Sequence, residues 1–79
     1  MLLTSRYILY PDDDSQEISH SLKINQLVNV NGIPITLPLK TLKTIVYRVW
    51  RISTKEERHE ESIFYHLELL NRYEMMDLI

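Results

Sequence analysis

The chain has 79 residues, 44% of them apolar and 25% charged, with a formal net charge of -2, a composition typical of globular chains and unlike disordered ones. It has no cysteine and one glycine, which excludes disulfide staples, thiolate zinc sites and glycine-rich phosphate loops. A chain this short buries only ~60% of its unfolded surface, so one domain over residues 1–79 is expected, with self-association a common source of extra stability.

Leu2 to Tyr10 reads as a first strand, with Leu3, Tyr7 and Leu9 on one face and Ser5 as the polar exception. This segment has no cleavage-site pattern, and no uncharged run approaches the ~18 residues of a membrane span. A cytoplasmic protein with no membrane partner is expected. Pro11 to Gln16 gathers turn-forming residues. Asp12, Asp13 and Asp14 lack the alternating spacing and distal glutamate of a calcium loop, so they read as a solvated acidic turn.

From Ser21 to Val30, Leu22, Ile24, Val28 and Val30 share one parity, which predicts a second strand. Asn31-Gly32 follows, a pair that accepts positive φ at both centres of a tight hairpin turn. Pro34 donates nothing to a ladder, so the return strand is short or lies at a sheet edge. Residues 37–44 fit a loop or a single helical turn begun at Pro38.

The most informative stretch runs from Ile45 to Leu70. Two runs rich in β-branched and aromatic residues flank the charged tract 54–61, the pattern of a long hairpin. In the second run Ile63, Tyr65, Leu67 and Leu69 share a parity, while Ser62, Phe64, His66 and Glu68 take the other. Capping-box spacings at Ser53 and Thr54 support an alternative, one helix over 55–76 that would make the fold α+β. The alternation favours the strand, followed by a short helix with a Leu70, Tyr73, Met76 stripe. The expected fold is mainly β: an antiparallel sheet of four or five strands with a short C-terminal helix, curled in the manner of an SH3-like or OB-like barrel.

Little in the chain spells out chemistry. His20, His59 and His66 form no His-x-x-x-His pair, and no serine sits in a nucleophile elbow. No metal, cofactor or enzymatic activity is expected. Lys40, Lys43, Arg48 and Arg51 interleave with Trp50, a pattern that suits phosphates and stacked bases and makes nucleic acid the alternative partner. The favoured reading places Trp50 and Val46 in the core, with Arg48 and Arg51 snorkelling or paired with Glu68. Apolar residues crowd the stretch from Ile63 to Ile79 beyond what one small core takes in. Phe64, Met75, Leu78 and Ile79 fall off the expected buried faces and are the predicted interface with a second copy, as a homodimer, or with another protein. The expected function is therefore non-catalytic: interaction or assembly through a strand edge or an apolar face.

Overall fold

A computed structural model of the protein describes residues 2–79. The elements in chain order are β1 (Leu3–Leu9), β2 (Ser15–Ile18), β3 (Leu27–Val28), β4 (Tyr47–Glu57), β5 (Glu60–Leu69) and the short helix α1 (Arg72–Met76). The five strands form one curled sheet in the order β2-β1-β5-β4-β3. Three neighbouring pairs are antiparallel, as expected, but β1 and β5 run parallel. The fold is mainly β with a short C-terminal helix, and the alternative helix over 55–76 is replaced by the end of β4, β5 and α1.

The β4–β5 hairpin is the spine. Its register runs from Tyr47 opposite Leu69 to Glu57 opposite Glu60, so the charged tract is the hairpin tip closed by Arg58 and His59. His59 turns the chain in the left-handed region at φ 64°, and its carbonyl accepts from the Leu3 amide at 2.9 Å where β1 begins. The expected parity of β5 holds for Tyr65 and Leu67, both buried, whereas Leu69 at the strand end is exposed and Leu70 turns inward instead.

Register and alternation sort the strand residues onto two faces. The first face carries Ile8 from β1, Ile18 from β2, Val28 from β3, Val49 from β4, and Tyr65 and Leu67 from β5. These six, with Leu22, make the larger core, with Tyr10, Tyr47 and Ile63 at its margin. Val46 and Leu70 have the opposite parity and belong to a second, smaller core with Leu39 and Met75, flanked by Leu27, Ile35, Leu42 and Leu78. The sheet thus has a core on each face. The second lies only at the β3 end, beneath α1 and residues 35–42.

Two expected strands shrink, the return strand after Gly32 to a single bridge between Val28 and Pro34. Only Leu27–Val28 of the 21–30 stretch is strand, because Asn25 at φ 69° breaks the alternation and exposes Ile24. Residues 37–44 contain no helix. The Asn31-Gly32 turn is present in a different form. The Gly32 amide donates to the Asn29 carbonyl at 3.0 Å, and the Asn29 amide donates to the Ile33 carbonyl at 2.9 Å. The tight turn therefore centres on Val30-Asn31, and only Gly32 takes positive φ, at 78°. This is the three-residue hairpin with glycine in the left-handed position, not the two-residue type. Gly32 also packs against the larger core: a Cβ there would lie 2.9 Å from Ile8 Cδ1.

Helix α1 starts at Asn71, whose side chain accepts from the Glu74 amide while Glu74 accepts from the Asn71 amide. This reciprocal cap is the Asn-x-x-Glu counterpart of the signal read, at the wrong place, over 53–57. Of the expected stripe only Leu70, which precedes the helix, is buried. Met75 is buried, whereas Tyr73 is 80% exposed and Met76 is also exposed. Among the described residues, no helix is long and apolar enough to cross a membrane.

Candidate interaction surface

The second face divides in two. At the β3 end it is covered, and Arg48 marks the boundary. Arg48 Nε donates to Glu68 Oε1 at 2.6 Å, and its Nη2 reaches both Glu68 and Glu74. The hydrogen bond that Arg48 donates to Glu68 is the largest influence raising the guanidinium pKa further. One arginine therefore ties β4 and β5 to α1: its pairing with Glu68 across the hairpin is as expected, and its contact with Glu74 of α1 is an addition. Both side chains are about two-fifths exposed, so the pair contributes only ~0.5 to 1 kcal/mol.

Beyond Arg48 the face is uncovered, and aromatic residues line it. Tyr7 on β1 stacks on Phe64 of β5 with ring centroids 5.5 Å apart. Trp50 meets His66 edge-on at 5.8 Å. Ser53 Oγ and His66 Nε2 lie 2.8 Å apart, and Leu9 pairs in register with His66. Partial burial, and then the charge of Arg51, hold the His66 pKa below its ordinary value.

A β-bulge builds this surface. The β4–β5 register slips between Val49 and Arg51, leaving Trp50 as the extra residue. Without the slip, strict alternation would send Arg51 to the first face. The bulge instead places Arg48, Trp50 and Arg51 on one side, the re-aiming for which bulges are used. Trp50 is consequently 50% exposed, and its expected place in the core is overturned: Val49, one residue earlier, fills that position. No alternation rule reveals a bulge in advance, although the two consecutive residues Trp50-Arg51 before Ile52 are its trace in the sequence.

The predicted site residues separate along the same division. Phe64 lies on the uncovered part of the second face, half-buried against Tyr7. Met75 is 4% exposed within the smaller core and is withdrawn from the interface. Leu78 packs at the margin of that core, its amide bonded to the Met75 carbonyl, while Ile79 is exposed. Among the nucleic-acid candidates, Trp50 and Arg51 share the uncovered face, but Arg48 is engaged by two carboxylates. Lys40 and Lys43 are exposed on the connection whose Leu39 and Leu42 enter the smaller core. The five do not converge on one basic surface, and Glu17, Glu57 and Glu60 share the second face with Arg51 and Lys55.

The residues that sequence reasoning missed are His66, on the polar parity of its strand, and Tyr7 and Leu9 on β1. The shared parity of Tyr7 and Leu9 is apparent in the sequence, but it marks the uncovered face, whereas Ile8 between them is fully buried.

The geometry defines a mainly β protein with one covered and one partly bare sheet face. Residues 2–78 match the family described as "Uncharacterised Treponema protein", and the chain belongs to that family. Neither a curated protein nor a solved structure matches it.

Proposed function

We propose that this is a non-catalytic assembly protein that binds protein, either a second copy of itself or another chain, through the β4–β5 hairpin. One observation carries this reading: Tyr7, Leu9, Trp50, Phe64 and His66 form a contiguous, half-exposed aromatic surface on a sheet face whose other end is sealed by α1. Large aromatic side chains exposed together mark interaction surfaces, where they bury much area at small cost in conformational entropy. The dispersal of the basic residues and the carboxylates on Arg48 favour protein over nucleic acid as the partner.

Trp50 is the only tryptophan, so its emission reports on coverage of this face. Emission should shift to the blue as protein concentration rises, and Phe64→Glu should raise the midpoint of that shift by ~10-fold or more. Emission that keeps its solvent-exposed wavelength at every concentration would reject self-binding by this face.

A further inference from the structure

The hairpin has a second unpartnered feature, the edge of β4. Strand β3 pairs only with Tyr47 and Arg48, and the adjoining segment adds bonds between Val49 and residues Asn25 and Gln26. From Arg51 to Glu57, β4 is paired with β5 on one side, and among the described residues no strand pairs with it on the other. Such an edge presents unpaired amides and carbonyls over ~23 Å, a template for another strand.

We infer that a second copy of this chain pairs antiparallel along this edge about a two-fold axis at Thr54, setting Arg51 of each copy opposite Glu57 of the other. The inference rests on the assembly reading above and names its partner and register. Charge complementarity selects this register. In a sheet continued across a two-fold axis, directly opposite residues share a face, so only registers centred on a residue are allowed. Centring on Ser53 sets Arg51 against Lys55 twice. Centring on Lys55 sets that lysine against its own copy, and centring on Glu56 does the same for a glutamate. Centring on Ile52 pairs only three residues before β3 intervenes. The Thr54 register pairs all seven residues, sets no like charges directly opposite, and makes two Arg51–Glu57 pairs. Opposite charges across strands stabilise pairing and like charges oppose it. Arg51 has no ion-pair partner within its own chain among the described residues, and Glu57 has only the exposed Lys55 at 3.0 Å.

The charges on this edge have a plain use in keeping arbitrary strands away. Their order does more, since it rejects the neighbouring registers and accepts one. The resulting ten-stranded sheet would place both aromatic faces on the same side. The dimer would thus be bivalent toward whatever covers them, with an avidity gain from the linkage alone.

The test uses the intact chain. Sedimentation equilibrium should show the mass rising from 9.5 kDa toward twice that value with a midpoint at ~10 to 100 μM, the range for a small edge interface. Arg51→Glu and Glu57→Arg should each raise that midpoint ~10-fold or more, and the double exchange should restore it, because the charges then face each other with signs reversed. The protein has no cysteine, so Thr54→Cys should form a disulfide dimer under mild oxidant. Glu56→Cys should not, because four residues of stagger carry the two thiols out of reach. A monomer at all concentrations overturns the inference. A dimer indifferent to the charge exchange, and without the disulfide in the Thr54→Cys variant, overturns the register while leaving self-assembly in place. Trp50 emission decides the aromatic-face reading separately.

Discussion

The two ends of the second sheet face use similar apolar side chains under different constraints. At the β3 end, Val46, Leu70 and Met75 are covered by residues 35–42 and α1, and each is buried. Beyond Arg48, Tyr7, Phe64 and Trp50 touch one another or His66, yet Trp50 is exposed and Tyr7 and Phe64 are only half-buried. Hydrophobic character alone does not separate the two groups. What separates them is what packs above: residues 35–42 and α1 return over the β3 end alone. Buried side chains stabilise the monomer; uncovered aromatic ones are available to a partner.

Charge placed at each end gives the largest contrast. Met75→Glu buries a carboxylate without a counter-charge and should cost ~3 kcal/mol or more, lowering the urea midpoint steeply or unfolding the protein. Phe64→Glu points its carboxylate toward solvent and loses mainly the stacking on Tyr7, so ~1 kcal/mol is expected. Equal destabilisation by the two would mean that the second face is as well covered at Phe64 as at Met75, and the comparison would fail.

The first face supplies a test of intermediate size. Gly32 is held at φ 78° with Ile8 and Ile18 within 3.3 Å of where a Cβ would stand. Gly32→Val combines a disfavoured backbone with a branched side chain pressed against the larger core, and ~2 kcal/mol or more of destabilisation is expected. Gly32→Ala keeps the backbone strain with less crowding and should fall between wild type and valine. Thermal melts of the three proteins would order them, and an unchanged Gly32→Val melt would contradict the packing of this turn.

Much of this architecture is legible in the sequence, for local reasons. Alternation over 62–68 assigns β5 its faces, and the β-branched run before the charged tract marks β4. What escapes depends on pairing between distant segments. Ser15–Ile18 becomes a strand only because it lies against Arg6–Leu9, and the parallel alignment of β1 with β5 leaves no local trace. The faces of β1 are separable, yet which one is buried is not, since Ile8 enters the core against two apolar neighbours on the other side. The smaller core shows the same limit. Met75 falls outside the expected stripe because a helix of five residues has too little periodicity to fix its orientation, which the Asn71–Glu74 cap and the contact with Val46 and Leu39 settle. The interface candidates divide accordingly: Phe64, on a long alternating strand, lies on the face its parity predicts, and Met75 does not.

The smallest expected effect concerns His66, within the uncovered end. Partial burial, reinforced by Arg51, lowers its pKa in the folded chain, so the unfolded chain takes up this proton first as pH falls. Stability from the neutral imidazole is therefore complete above the ordinary histidine value of about 6.5 and declines as pH drops through the lowered folded value. The quantity to follow is the difference between wild type and His66→Gln. Urea midpoints measured between about pH 7.5 and about pH 5 should show that difference shifting in favour of the variant as pH falls. A constant difference would mean that His66 titrates alike in both states and that the Trp50 and Ser53 contacts do not desolvate it. If a partner closes over this face, its added burial should lower the His66 pKa further. Binding would then weaken as pH falls through the lowered value of the free folded chain, and that weakening should disappear in His66→Gln.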